Sequence, residues 1–143
     1  ALLLIERGAL EDRVEIAPQD TLEDLTCRPM TAGLKPGHAY SRHELLQAML
    51  IGSANDAALA LARDHSGSIP AFVDAMNERA RLLDMRNSRF CNPNGLPHDG
   101  QYSTAEDVAT LAQTIDSSPL LRAIVATPFL APARVRPPSC YPV

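Results

Sequence analysis

Apolar residues recur at the spacing of a helix face in three stretches of this chain, and each stretch opens on a serine that can cap a helix. The first opens at Ser41, and Glu44 three residues later completes a capping box, in which each side chain bonds the backbone amide of the other residue. The second opens at Ser68, and the third at Ser103, which is predicted to form a second capping box with Glu106. The positions expected to point inward are Leu45, Leu46, Met49 and Leu50 in the first helix, Phe72, Val73, Met76, Ala80 and Leu83 in the second, and Ala105, Val108, Ala109, Ala112 and Ile115 in the third.

A fourth predicted helix lies between the first two and has almost no polar face. Residues 55–64 read N-D-A-A-L-A-L-A-R-D, and a helix that is apolar nearly all round is normally buried. Gly52 and Ser53 separate it from the preceding helix, and Gly67 ends it. Shorter elements are also predicted, namely the end of a helix at 1–6, a strand through Val14 and Ile16, a turn at 34–37 and a last helix at 119–126. In the helix after Gly67, the residues expected to face water are Asp74, Glu78, Arg79 and Arg81.

Turn-forming residues dominate two other regions of the chain. Residues 91–102 combine Asn-Pro, Asn-Gly and Asp-Gly pairs, so they are predicted to form a loop. Asn92-Pro93-Asn94-Gly95 is interpreted as a structural turn rather than a substrate contact, and His98 is expected to be exposed without a role. Prolines recur through residues 128–143, and because proline cannot donate to a ladder of strand hydrogen bonds, we expect an irregular, loose tail.

Charge and composition exclude some classes of function. The net charge of −4 leaves no basic surface typical of nucleic-acid binding, so no nucleic-acid partner is expected. Neither the three cysteines (Cys27, Cys91 and Cys140) nor the four histidines show the spacing of metal ligands, and no metal or other cofactor is predicted. No apolar run of about 18 residues predicts a membrane-spanning helix, so membrane contact is expected only through segments outside these residues.

The stretch Ser53-Ala54-Asn55-Asp56-Ala57 carries the candidate chemistry. A serine and an asparagine two residues apart, at the entrance to a buried helix, can direct a hydroxyl and a carboxamide into one cleft. Taken alone, the same residues are an ordinary helix start, with Asp56 capping the helix that follows. The two interpretations are compatible, since Asp56 could cap the helix while Ser53 and Asn55 face the cleft. The consecutive Asp64-His65-Ser66 is not expected to form a triad, because neighbouring helical side chains do not converge on one point.

Several landmarks that follow one another over roughly residues 1–127 resemble a known family. They are Gly33-Leu34-Lys35-Pro36-Gly37, Glu44-Leu45-Leu46, Met49-Leu50, Ser53-Ala54-Asn55-Asp56-Ala57-Ala58, Phe72-Val73, Met76-Asn77, Ala80, Asn92-Pro93, Gly95-Leu96 and Tyr102-Ser103-Thr104-Ala105. The series resembles the serine-type D-alanyl-D-alanine carboxypeptidases, the low-molecular-mass penicillin-binding proteins of peptidase family S11. The resemblance implies an α/β fold of the β-lactamase/transpeptidase type. Residues 1–127 would be part of its catalytic domain and supply mainly the helical lobe, with a few short strands.

The same resemblance implies roles for Ser53 and Asn55 in acyl transfer. Enzymes of this family remove the terminal D-Ala of peptidoglycan pentapeptide ending in D-Ala-D-Ala through an acyl-enzyme, and β-lactams inhibit them. Ser53 would relay a proton toward the leaving D-Ala nitrogen, since a hydroxyl both donates and accepts. Asn55 would hold the catalytic lysine with its oxygen and donate its NH₂ to the amide carbonyl of the substrate.

Two motifs that this chemistry needs are missing from the 143 residues, the S-x-x-K nucleophile and the K-T-G strand. Lys35 is the one lysine in the sequence. The chain begins with Ala1, inside a predicted helix, so we expect a preceding portion that carries the nucleophile. The chain alone is therefore expected to be an inactive fragment, and an extracytoplasmic location follows from the family. Alternative functions are a non-catalytic peptidoglycan-binding or scaffolding relative and a β-lactamase-like hydrolase.

Overall fold

The structure, a computed structural model, describes residues 1–22 and 29–128. Within these ranges the chain is mainly helical and has one sheet of two strands. The elements are α1 (Leu2–Arg7), β1 (Arg13–Glu15), a 3₁₀ turn (Pro18–Asp20), β2 (Ala39–Ser41), α2 (Arg42–Gly52), α3 (Asn55–Ser66), α4 (Ile69–Leu82), α5 (Ala105–Asp116) and α6 (Pro119–Val125). The helices expected at 55–64 and 119–126 are confirmed as α3 and α6. Apart from Pro128, the predicted tail lies outside the described residues, as do Cys27 and Cys140.

The chain folds as two compact units, which are described separately. The sheet unit is built from Ala9–Leu61, and the helix unit from Ala1–Gly8 and Ala62–Ala126. The sheet unit contains β1, β2, α2 and the start of α3. The helix unit contains the end of α3 together with α1, α4, α5 and α6.

In the sheet unit, β1 and β2 pair in antiparallel fashion, with Val14 opposite Tyr40. Val14 and Ile16 are 2% and 1% exposed, and the residues on either side of Val14 face solvent, which is the alternation expected of a half-buried strand. The sequence does not predict β2, because its three residues show no alternation of their own. The strand conformation of β2 is fixed by its pairing with β1. Just beyond the paired residues, the amide of Ile16 also donates to the carbonyl of His38 at 2.8 Å.

α2 begins with the predicted capping box. The amide of Glu44 donates to Oγ of Ser41 at 3.1 Å, and the amide of Ser41 donates to Oε2 of Glu44 at 2.7 Å. Because the ionised carboxylate accepts this backbone bond, the pKa of Glu44 is lowered from its ordinary value. Arg42 beside it is buried, and its Nη1 donates to the carbonyl of Ala9 and to Oδ2 of Asp12, both at 2.9 Å. The buried guanidinium thus ties α2 to the turn before β1, a contact that apolar periodicity does not indicate.

In the helix unit, the C-terminus of α1 and the N-terminus of α4 match the predicted boundaries. α1 ends at Gly8, whose φ of 72° lies in the left-handed region that glycine adopts without strain. α4 is capped by Ser68, whose Oγ accepts from the amide of Ala71 at 3.3 Å. The expectation that Arg79 faces water is wrong, because its Nη2 lies 2.5 Å from Oε1 of Glu6 and its side chain is only 29% exposed. This ion pair joins α4 to α1.

α5 begins one residue later than the sequence predicts. Thr104 is its N-cap, and Oγ1 of Thr104 accepts from the amide of Asp107 at 3.2 Å. The predicted capping box of Ser103 with Glu106 is therefore wrong. The hydroxyl of Ser103 has a competing partner in a neighbouring loop, since it lies 2.7 Å from Oγ of Ser88.

The face that α5 buries also differs from the prediction. Asp107 is 5% exposed, because its Oδ2 accepts from the amide of Asn87 at 2.9 Å and from Oγ of Ser88 at 2.7 Å. Val108, which was expected to point inward, is 52% exposed. Three further residues expected to point inward are also exposed, namely Ala105, Ala109 and Ala112. A buried, hydrogen-bonded carboxylate therefore orients a helix whose apolar pattern indicates another face.

Replacing Glu44 by glutamine should make the stability of the chain less dependent on pH in the acid range. Glutamine can keep the hydrogen bond to the Ser41 amide but carries no charge. Since the folded-state pKa of Glu44 is lowered, the contribution of the carboxylate is fully present above its unfolded pKa and is lost as the pH falls through the folded pKa. Melting temperatures of wild type and E44Q, measured from about pH 7 to about pH 3, should therefore converge in acid.

The matched control for this experiment is Glu106→Gln in the first turn of α5. The Glu106 carboxylate makes no hydrogen bond within the described ranges, so E106Q should not reproduce the pH profile of E44Q. A melting-temperature difference for E44Q that persists at low pH would contradict the stabilising role of the ionised capping box.

Candidate active site

The turn between α2 and α3 places Ser53 at the surface in a strained backbone conformation. Its φ and ψ are 51° and 33°, in the left-handed region, which costs an L-residue roughly 1–2 kcal/mol. The amide of Ala54 closes the turn by donating to the carbonyl of Ala48 at 3.2 Å. The side chain of Ser53 is exposed and its hydroxyl bonds none of the described residues. A left-handed residue is common just after a helix, so this conformation shapes the turn and assigns no role to the hydroxyl.

Asn55, the first residue of α3, is buried and is fixed through its carboxamide nitrogen. It is 8% exposed. Its backbone amide and its Nδ2 both donate to the carbonyl of Met30, at 2.9 and 2.8 Å, and Nδ2 also lies 3.3 Å from the carbonyl of Ser53. These contacts occupy the two donors of the carboxamide. Oδ1 is therefore turned away from Met30, and it accepts no hydrogen bond from the part of the chain that the structure describes.

Asp56 is 1% exposed, and its carboxylate accepts three backbone hydrogen bonds. Oδ1 accepts from the amides of Ala57 and Ala32, both at 2.9 Å, and Oδ2 accepts from the amide of Leu34 at 3.0 Å. The prediction that Asp56 acts as a helix cap is wrong in its main part, because two of the three donors lie outside α3. The carboxylate instead holds residues 29–34, called here the anchor segment, against the start of the helix. Helix and turn propensities of single residues do not indicate this contact, because its donors lie 22 and 24 residues earlier in the chain.

The turn therefore carries three polar side chains within four residues: the exposed hydroxyl of Ser53, the carboxamide of Asn55 and the buried carboxylate of Asp56. The NH₂ of Asn55 was predicted to donate to a substrate carbonyl, and in the structure that role would require it to exchange a backbone contact. Among residues 1–22 and 29–128, no group of three His, Cys, Asp or Glu side chains lies close enough together to hold a metal ion. None of the described helices is long and apolar enough to cross a membrane.

The 91–102 loop of the helix unit is held by its own side chains. The amide of Gly95 donates to Oδ1 of Asn92 at 2.7 Å, and Nδ2 of Asn92 donates to the carbonyl of Leu96 at 2.7 Å. This pair of bonds supports the interpretation of the Asn-Pro-Asn-Gly stretch as a structural turn. His98 is exposed, as expected, and Cys91 is a free thiol.

His65 and Ser66 lie closer together than the sequence predicts. Nδ1 of His65 is 2.8 Å from Oγ of Ser66, so two of the three neighbouring side chains of Asp64-His65-Ser66 do meet. The prediction that all three do not converge as a triad stays a prediction. The imidazole packs edge-on against Phe72 with ring centroids 5.2 Å apart, and Oδ2 of Asp64 lies 3.7 Å from the guanidinium of Arg7. Packing and an ion pair account for these contacts, and we assign the three residues no catalytic role.

The structure is similar to solved penicillin-binding proteins. The D-alanyl-D-alanine carboxypeptidase from Mycobacterium tuberculosis H37Rv matches 94% of this chain with a TM-score of 0.78 and 28% identity, and the match covers 51% of that protein. The chain thus has the expected α/β fold class of the β-lactamase/transpeptidase type, of which it forms mainly the helical lobe.

Residues 8–127 match the profile of the D-alanyl-D-alanine carboxypeptidases, peptidase family S11, and the chain belongs to this family. The carboxypeptidase DacF of Bacillus subtilis is 42% identical over 82 residues, which is 57% of this chain and 21% of DacF. A D-alanyl-D-alanine endopeptidase of Pseudomonas aeruginosa is 35% identical over 127 residues, which is 89% of this chain and 40% of that protein. The chain spans less than half the length of these curated relatives.

Replacing Ser53 by glycine should stabilise the chain by about 1 kcal/mol, because glycine adopts the left-handed conformation without the penalty of a side chain. The matched variant Ser53→Ala keeps that penalty and should change the free energy of unfolding by less than about 0.5 kcal/mol. Urea unfolding of the three proteins measures both values. If S53G were less stable than wild type, or if S53A gained as much as S53G, the turn would not be strained at this residue.

Proposed function

We propose that these residues are the helical lobe of a serine-type D-alanyl-D-alanine carboxypeptidase, which removes the terminal D-Ala of peptidoglycan pentapeptide through an acyl-enzyme. The observation that carries the proposal is the turn at Ser53 and Asn55, set in a chain of family S11. Residues 1–127 would belong to the catalytic domain of the complete enzyme. By the same family membership, β-lactams would acylate that enzyme and its site would face the extracytoplasmic side.

Ser53 suits the proton relay of this reaction because its hydroxyl is exposed and makes no bond to the described residues. In the acylation step, a nucleophilic serine in the missing S-x-x-K motif attacks the carbonyl between the two D-Ala residues. The lysine of that motif takes the serine proton. Ser53 accepts a proton from the lysine side and gives its own to the leaving nitrogen, so that D-Ala departs as a neutral amine.

Asn55 suits the task of holding the lysine. Its Nδ2 already faces the carbonyls of Met30 and Ser53, so its Oδ1 is the end of the carboxamide that bonds none of the described residues. An amide oxygen accepts a hydrogen bond from an ammonium or an amine without adding negative charge, whereas a carboxylate would favour the protonated lysine. Donation by the NH₂ of Asn55 to a substrate carbonyl would require its bond to the Met30 carbonyl to be exchanged.

Removing either side chain in the complete enzyme, with S-x-x-K and K-T-G present, should slow acylation. Losing a positioned proton-transfer group typically costs about 10²–10⁴ in rate, and we expect a loss in this range for Ser53→Ala and for Asn55→Ala. The rate constant for acylation by a fluorescent penicillin measures the loss. Ser117→Ala and Asn87→Ala, which remove the same chemical groups from the helix unit, are controls and should stay within about twofold of wild type. Wild-type rates in both S53A and N55A would refute the proposal.

The 143 residues alone should form no penicillin adduct, because they contain neither the S-x-x-K nor the K-T-G motif. Incubation of the chain with excess penicillin, followed by intact-mass analysis, is the measurement. A stoichiometric increase in mass by one penicillin would mean that a nucleophile within this chain carries the chemistry.

A further inference from the structure

The carboxylate of Asp56 and the carboxamide of Asn55 both bind the backbone of the anchor segment. Asp56 accepts from the amides of Ala32 and Leu34, at 2.9 and 3.0 Å. Two residues before Ala32, the carbonyl of Met30 accepts from Nδ2 of Asn55 at 2.8 Å. The two side chains are neighbours in sequence, yet the bonds that fix them both run through backbone more than 20 residues away.

Asp56 makes the strongest hydrogen bonds to the anchor segment. Its carboxylate is 1% exposed, and hydrogen bonds to an ionised acceptor are roughly twice as strong as those between neutral groups. An amide in its place would present an NH₂ to at least one backbone N–H and leave that donor unpaired in the interior. The anchor segment therefore depends on a charge at this position, and not only on the size of the side chain.

We propose that Asp56 is a positioning residue that sets the orientation of the Asn55 carboxamide by holding the anchor segment. With the segment held, the Met30 carbonyl accepts from Nδ2, and Oδ1 is left without a partner among residues 1–22 and 29–128. The backbone amide of Asn55 also donates to this carbonyl. Release of Ala32 and Leu34 from Asp56 is therefore expected to loosen the Met30 carbonyl and let the carboxamide rotate. The importance of this orientation for acyl transfer rests on the proposed function, whereas the coupling between the two side chains does not.

The test is an NMR measurement on the ¹⁵N-labelled chain and its Asp56→Asn variant. Loss of the charged bonds should reduce the exchange protection of the Ala32 and Leu34 amides roughly 10–100-fold. The two distinct Nδ2 proton signals of Asn55 should converge in chemical shift and exchange faster with water, because the bond from Nδ2 to the Met30 carbonyl is weakened when the segment loosens. A purely structural role of Asp56 would leave these side-chain signals where they are.

The matched control is Asp107→Asn in the helix unit. Asp107 is also a buried aspartate in the first turn of a helix, and it accepts from a loop amide, that of Asn87, at 2.9 Å. D107N should speed exchange at Asn87 and leave the carboxamide signals of Asn55 unchanged. The proposal is overturned if D56N loosens the anchor segment while the Asn55 signals stay, or if D107N alters them as much as D56N does.

A measurement on the wild-type chain decides the question if D56N does not fold. Under native-state exchange at increasing urea concentration, the amides of Ala32 and Leu34 and the carboxamide of Asn55 should exchange through one opening with the same urea dependence. Different urea dependences would overturn the coupling. The acylation rate of Asn55→Ala separately tests the proposed function, so the two can fail independently.

Discussion

A carboxylate buried to 1% exposure must find its hydrogen-bond donors inside the protein, and Asp56 finds three backbone amides. Burying such a charge without partners would cost far more than any one of these bonds contributes. The need to satisfy it joins the start of α3 to residues 22 and 24 positions earlier. The same segment supplies the carbonyl that holds Asn55, so the two side chains share one stretch of backbone.

In the helix unit, too, a buried aspartate fixes a distant stretch of backbone. Asp107 lies in the first turn of α5 and holds the loop that precedes the helix through the amide of Asn87 and the hydroxyl of Ser88. In the same unit, Asn77 bonds both the amide and the carbonyl of Phe90, at 2.9 and 2.8 Å. Polar side chains with satisfied hydrogen bonds, two buried aspartates and the half-buried Asn77, thus fix long connections that apolar packing alone would leave undetermined.

The helices could be predicted from the sequence because their signals are local. Ser41 and Glu44 form the predicted capping box, and the apolar run of α3 is buried as its composition indicates. β2 could not be predicted, since its strand conformation comes from pairing with β1. The buried face of α5 was predicted wrongly, because the partner of Asp107 lies 20 residues earlier in the chain.

Part of the candidate site could likewise be predicted from the sequence, and part could not. The family resemblance points to Ser53 and Asn55, and their place between two helices could be inferred from Gly52 and the run of alanines. The bonds of Asp56 could not be inferred, since nothing in the motif indicates that Ala32 and Leu34 lie against the start of α3. The left-handed conformation of Ser53 could not be inferred either, because serine does not favour it. A short polar motif therefore indicates which residues to examine, but the long-range contacts determine how their atoms point.

A crystal structure of the complete enzyme acylated by a penicillin would test the central claim most directly. We expect Oγ of Ser53 and Oδ1 of Asn55 to face the acylated serine and its lysine, within hydrogen-bond distance of about 3 Å. Nδ2 of Asn55 should remain on the carbonyl of Met30, with the anchor segment on Asp56. If Ser53 and Asn55 pointed away from the adduct, or if the anchor segment had left Asp56 while Asn55 kept its orientation, the account would be contradicted.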